Sequence, residues 1–292
     1  MKVCGFSFIR NAGTYDYPIV EAVRSILPVC DEVVVAVGAS EDGTEDLVRS
    51  IDPRVRVLRT TWDDTLREGG RVLAEETNKA LDAVPGDADW ALYIQGDEVL
   101  HEDGLDAVRT AMEDHAKDER VDGLLFSYLH FYGSYDLIGD PSAWYPFEVR
   151  AVRPGQDVRS WKDAQGFRRA DGRKLRVVEV DATIHHYGWV KDPRTMQRKQ
   201  EDFNRLWHED AEVERRVPAG DEWDYGRERR VLHPFAGTHP AVMKERLARA
   251  DWHFPYEPGS VKPRWKERLK NWSKRRLGLE LEYQNYELVT LR

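Results

Sequence analysis

Two hydrophobic periods alternate through the first hundred residues, and nothing else in the chain constrains the fold as strongly. "VCGFSFI" at 3–9 has the pattern of a strand, and after Pro18 the residues Val20, Val23, Ile26 and Leu27 fall at helical spacing. "EVVVAV" at 32–37 is a short β-branched run of the kind found in a strand covered on both faces. A turn at Asp42-Gly43 leads into a helix bearing Leu47, Val48 and Ile51. A strand "VRVL" at 55–58, a helix face of Leu73, Thr77, Ala80 and Leu81, and a strand "WALYI" from Trp90 complete the series. Such alternation predicts an α/β fold with a mostly parallel, Rossmann-like sheet flanked by helices. Ligands of such sheets bind beyond the carboxyl ends of the strands.

One of those ends carries an unusual sequence. "WALYIQGDEVL" passes abruptly from apolar residues to Gln95, Gly96, Asp97 and Glu98. Buried carboxylates are costly unless a cation, a hydrogen-bonding partner or water takes them up. A bound ligand or ion is expected there, the alternative being a helix cap or surface charges.

Beyond about residue 120 the pattern changes to strands without regular helices between them: "GLLFSYLHFYG", "FEVRAVR" and "KLRVVEV". The loops "YGSYDLIGDPSAWYP" and "SWKDAQGFRRADG" are too long for simple connections and are read as a binding surface. Asp192-Pro193 opens a helix, with Asp as cap and Pro at the first helical position, and Met196, Phe203, Leu206 and Trp207 as its buried face. The chain then turns polar, with "PAVMKERLARA" as a further helix. Residues 262–276 hold eight Lys or Arg against one Glu, with Trp265 and Trp272 among them. This segment suits peripheral contact with anionic lipid head groups; the ordinary alternative is a solvated helix packing its tryptophans on the main domain.

The 292 residues allow one large α/β domain with an extension. Acidic residues outnumber basic ones 53 to 44, for a net charge of −9, which argues against nucleic acid as a partner. Cys4 and Cys30 make no disulfide framework and match no metal-ligand spacing; they are read as core residues of a cytoplasmic protein. No apolar run approaches the ~20 residues of a membrane span, and no signal-peptide pattern opens the chain.

The segments "FIRNAG", "VVVAVGASEDGTED", "ETNKAL", "WALYIQGDE" and "HHYGWV" at 185–190, in this order over the first 205 residues, resemble a family 2 glycosyltransferase with the GT-A fold. The resemblance implies a GT-A domain over 1–235, with a nucleotide-sugar-binding half at 1–120 and a mixed β acceptor half at 121–205. A helical, basic C-terminal extension occupies 236–292. It implies a metal-dependent, inverting glycosyltransferase that uses Mn²⁺ or Mg²⁺ and moves a sugar from a nucleotide-sugar donor to a glycan or lipid-linked acceptor.

Asp97 falls on the last acidic residue of the family's Asp-x-Asp element and is expected to bind the metal. Gln95 replaces the first, and is expected to bond ribose or a metal-bound water. His186 is the second candidate metal ligand, with a structural histidine as the alternative; strand alternation turns His185 to the other face. Arg10 and Asn11 are donor-binding candidates by resemblance, although Arg10 also reads as a loop arginine paired with an acid. Asn78 is a weaker donor candidate, and Gly69-Gly70 would let the backbone approach the donor. Where relatives end the second strand in an acidic residue, this chain has "VGAS", so the base is left open.

Inverting transfer needs a base for the acceptor hydroxyl. Asp163 is the first candidate and Glu148 the second; Asp163 also reads as a turn residue paired with Arg168 or Arg169. Trp144, Tyr145 and Trp161 suit stacking on an acceptor sugar. The rival from another class is a non-catalytic carbohydrate- or nucleotide-binding protein on the same scaffold. Nucleotidyl transfer is disfavoured because the first loop, "RNAGTYDYP", lacks a Gly-rich, basic character.

Overall fold

The computed structural model describes residues 1–66, 68–155, 157–277 and 284–290. Four strands, β1 (Val3–Ile9), β2 (Glu32–Gly38), β3 (Val55–Thr60) and β4 (Trp90–Tyr93), pair in parallel in the order β3-β2-β1-β4. Helices α1 (Ile19–Ile26), α2 (Thr44–Arg49) and α3 (Arg71–Asp82) make the crossovers. The unbroken apolar run of β2 has its reason in the two layers: Val33, Val35 and Val37 join the core beneath α1, while Val34 and Ala36 join the core beneath α3. Cys4 and Cys30 are both buried and free, as expected.

The second half begins with β5 (Glu98–Leu100) and α4 (Leu105–Asp114), followed by β6 (Gly123–Tyr132), β7 (Ser134–Gly139) and β8 (Phe147–Val152). β8 lies antiparallel between β4 and β6 and so joins the parallel half to the rest of an 11-stranded sheet. A separate hairpin, β9 (Val158–Trp161) and β10 (Gly166–Arg169), stands beside it. β11 (Leu175–Trp189) runs parallel to β6 and antiparallel to β5, which places His186 opposite Glu98. The sequence suggested a strand ending with "KLRVVEV" at 174–180. Instead one 15-residue strand bends through register shifts at Glu179/Thr183 and His186/Trp189.

α5 (Pro193–Arg205) starts as its sequence predicts: the Asp192 carboxylate accepts from the amides of Arg194 and Thr195 at 3.0 and 3.3 Å. α6 (Asp210–Arg216) forms where the sequence read only as polar, and β12 (Leu232–Pro234) adds to β7. "PAVMKERLARA" becomes a 3₁₀ turn leading into α7 (Lys244–Arg249). From α7, Arg246 reaches back to Asp16 and Glu21 at 2.6 and 3.0 Å. The basic segment forms α8 (Trp265–Leu277), and β13 (Tyr286–Leu288) extends the sheet beside β11. Trp265 and Trp272 are 69% and 54% exposed, so α8 does not bury its tryptophans on the main domain. Among the described residues no helix is long and apolar enough to cross a membrane.

At the seam between the halves sits a fully buried ion pair. Arg150 on β8 grips Glu98 through Nη2 at 2.8 Å and Nε at 3.0 Å, and the Tyr128 hydroxyl donates to the same carboxylate at 2.9 Å. Loss of one partner would leave the other charge buried, at a cost of about 3–5 kcal/mol. This pair fixes the backbone on which Asp97 is mounted.

Candidate active site

A cleft of about 750 Å³ opens at the carboxyl ends of β1 and β4, walled by α5 and by the turn between β9 and β10. At its floor the residues of "GDE" part company: Glu98 turns into the sheet toward Arg150, and Asp97 turns into the cleft. Asp97 Oδ1 lies 3.8 Å from His186 Nε2, and Oδ2 lies 3.4 Å from Lys199 Nζ. Burial pushes the Asp97 pKa up, but positive charge around it, led by Lys199, outweighs burial and holds the carboxyl below its usual value. The site is therefore built around an ionised carboxylate.

Gly188 explains how three polar groups fit together here. A Cβ at this position would stand 2.7 Å from both Asp97 Oδ2 and His186 Nε2, so only glycine lets β11 pass the carboxylate. The Gly188 carbonyl also accepts from Lys199 Nζ at 2.9 Å. Lys199 projects from α5, buried over the rings of Tyr17 and Phe203 at 4.9 and 5.7 Å. Burial lowers its pKa from the ordinary value, against the opposing pull of Asp97.

Asp163 also lines the cleft, at the tip of the β9–β10 turn. Its neighbours Lys162 and Ala164 hold φ of 53° and 63°, a left-handed conformation that is unfavourable for non-glycine residues and concentrates at functional positions. Burial raises the Asp163 pKa above the ordinary carboxylate value. Gly70, at φ +69°, packs where a Cβ would meet the Trp207 ring at 2.7 Å and Asp163 Cβ at 2.9 Å. Thus Gly70 admits a tryptophan and the turn. Gln95 also serves this turn: its Nε2 donates to Ala164 O at 2.9 Å.

The remaining expected residues divide. Arg10 and Asn11 line the cleft, with Arg10 paired to Asp64 at 2.7 Å and held over Trp62 at 5.4 Å. Trp144, Tyr145 and Trp189 line it as well. Asn78 lies outside the lining and accepts from the Ser160 amide at 2.9 Å. Trp161 also lies outside, beneath the Arg168 guanidinium at 4.6 Å. Glu148 lines a separate cavity of about 210 Å³ beside Asn285, its Oε2 without a hydrogen-bond partner; burial pushes its pKa up to about 8. His185 faces away from His186, as alternation requires, with Nδ1 3.2 Å from the Tyr187 hydroxyl; burial pushes its pKa down to about 3.

Sequence reasoning missed Lys199, Trp62, Asp64 and Trp207. Lys199 had a signal: it lies three residues after Met196 and four before Phe203, on the face already expected to be buried. Phe203, Leu206 and Trp207 line the cleft and so present that face to the site.

A divalent cation can be tested against these donors. Among the described residues no three His, Cys, Asp or Glu side chains converge on one point. Asp97 Oδ1 and His186 Nε2, 3.8 Å apart, are too distant for a hydrogen bond, yet within reach of one ion with ligand bonds of about 2.1 Å. Asp97 and His186 would supply two donors to such an ion, drawn slightly closer together than they stand here, and the other coordination positions would be left to substrate oxygens and water.

No protein-family model matches the chain, and no curated protein matches it. Among solved structures it is similar to S. aureus TarS, with TM-score 0.42 at 14% identity over 73% of this chain and 42% of that one. TarS 1–349 in complex with UDP gives 0.40 and 14% over 74% and 70%. Glucosyl-3-phosphoglycerate synthase from Mycobacterium tuberculosis, in complex with Mn²⁺, UDP and glucosyl-3-phosphoglycerate, gives 0.31 and 18% over 45% and 45%. The chain thus spans less than half of the full TarS and synthase chains. Likeness at this level carries no argument about substrate or reaction, which must come from the cleft itself.

Proposed function

We propose that the chain is a glycosyltransferase that takes a sugar from a nucleotide-sugar donor and passes it, with inversion, to a hydroxyl acceptor. The observation that carries this reading is the ionised Asp97, facing a large cleft at a strand end with His186 Nε2 on one oxygen and Lys199 on the other. Glycosyl transfer from such a donor develops charge on a departing diphosphate. A floor that combines a fixed ammonium with a carboxylate and an imidazole supports that departure. Asp97 and His186 would hold a divalent cation, which when bound supplies Lewis-acid stabilisation of the diphosphate.

The chain's own groups take the other roles. Lys199 stands ready to meet phosphate oxygens while it orients Asp97. Asp163 is the proton acceptor for the attacking hydroxyl, since a carboxyl raised above its ordinary pKa is the better base. Arg10 and Asn11 contact the donor, and Trp144, Tyr145 and Trp189 give an acceptor sugar flat apolar faces. α8, with Trp265, Leu269 and Trp272 exposed among basic residues, brings the cleft to an anionic lipid surface where a lipid-linked acceptor would lie.

The test is a panel of sugar nucleotides incubated with Mn²⁺ and no acceptor, reading release of the nucleoside diphosphate. One donor should be cleaved slowly, and Lys199→Met should lower that rate by about 10²–10³-fold. A second reading, a binder without turnover, is favoured by the replacement of the first acidic residue with Gln95, whose amide holds Ala164 O. Tight nucleotide binding with no release from any donor, even with glycan acceptors present, would establish that second reading and exclude the first.

A further inference from the structure

His130 lies on β6, directly beside His186 on β11, and is 3% exposed within an aromatic box. Tyr128 and Trp144 stack on it at 5.5 and 5.1 Å, and Tyr145 meets it edge-on at 4.4 Å. A phenylalanine would fill this box without burying two polar atoms, so the use made of those atoms is informative. His130 Nε2 lies 2.8 Å from the Tyr145 carbonyl oxygen, and Nδ1 lies 3.0 Å from His186 Nδ1.

The direction of this chain follows from its first member. A carbonyl oxygen only accepts, so His130 Nε2 carries the hydrogen. In a neutral imidazole the other nitrogen is then an acceptor, so His186 Nδ1 must be the donor. A neutral His186 with its hydrogen on Nδ1 has a bare lone pair on Nε2, the atom that faces Asp97 across 3.8 Å. Two acceptors thus confront each other in the cleft, an arrangement that calls for a cation between them.

We propose that His130 is a positioning residue that sets the tautomer of His186, so that the Nε2 lone pair stands beside Asp97 for a divalent cation. The inference rests on the reading of the cleft as a cation-assisted nucleotide-sugar site. Groups that orient a ligating histidine through its second nitrogen contribute 10–100-fold to metal affinity. His130 acts in this way without touching the ion.

Two measurements test it on the full chain. The first, on metal-free protein, is long-range ¹H–¹⁵N correlation of the histidine rings, with His186 assigned through His186→Gln. His186 should carry its proton on Nδ1 in the wild type and shift toward Nε2 in His130→Leu. The second is calorimetric titration of Mn²⁺ in the presence of a nucleoside diphosphate. His130→Leu should weaken Mn²⁺ binding 10–100-fold. His130→Asn, which restores an acceptor at the Nδ1 position, should recover most of the loss.

An Nε2-protonated His186 in the wild type overturns the proposal, as does equal loss in the Leu and Asn variants or no loss in either. If the expected tautomer is found and the wild type binds no Mn²⁺, the cation role fails together with the metal reading of the site. Strong Mn²⁺ binding that is indifferent to His130 overturns the positioning role alone.

Discussion

At Gly188 a single methyl group separates a site that assembles from one that does not. Added there, it would press on Asp97 and His186 at once, at distances no packed structure tolerates without movement. Gly188→Ala should therefore weaken nucleotide and Mn²⁺ binding at least tenfold while costing about 1–3 kcal/mol of stability, typical of local overpacking. Parallel calorimetry and chemical denaturation would check this; unchanged affinity would show that the two side chains do not act together. Asp97 stood out in the sequence as a carboxylate following an apolar strand, and His186 was singled out through the family resemblance, with alternation separating it from His185. Lys199 was not, because a lysine on a helix reads as solvated unless the partner awaiting it, 102 residues away, is known.

At the scale of elements, the crossovers of the parallel half and the Asp192 cap of α5 were readable from period and capping chemistry alone. The length of β11 was not. Val180, Ala182 and Ile184 alternate with Asp181 and Thr183 as in a strand, but the buried phase slips at Val178–Glu179, and pairing with both β6 and β5 carries the strand past that slip. α8 was located by composition, while the direction of its tryptophans depended on which surface the helix meets. With Trp265, Leu269 and Trp272 at i, i+4 and i+7 and all exposed, the helix presents an apolar stripe within a segment rich in Lys and Arg. The full chain should co-sediment with phosphatidylserine vesicles at low salt and dissociate at high salt, with Leu269→Ala/Trp272→Ala reducing the bound fraction several-fold. Equal sedimentation of variant and wild type, or no preference for anionic over neutral vesicles, would remove the lipid contact.

At the scale of the whole molecule, the cleft exists because β8 stitches a parallel half to a mixed half through a buried Glu98–Arg150 pair. Groups from residues 10, 97, 163, 186 and 199 thereby come to one cavity. The sequence showed the two halves and the strand ends where chemistry gathers. It did not show the antiparallel seam, nor that Glu148 turns toward a second cavity while Asp163 faces the first. Those facts depend on long-range register, which no local pattern encodes. The most direct measurement is calorimetric titration of nucleoside diphosphates with Mn²⁺ into the wild type and Asp97→Ala. One nucleotide should bind the wild type in a metal-dependent manner, and the variant should lose that binding. Equal affinity of the two proteins would contradict the account at its base.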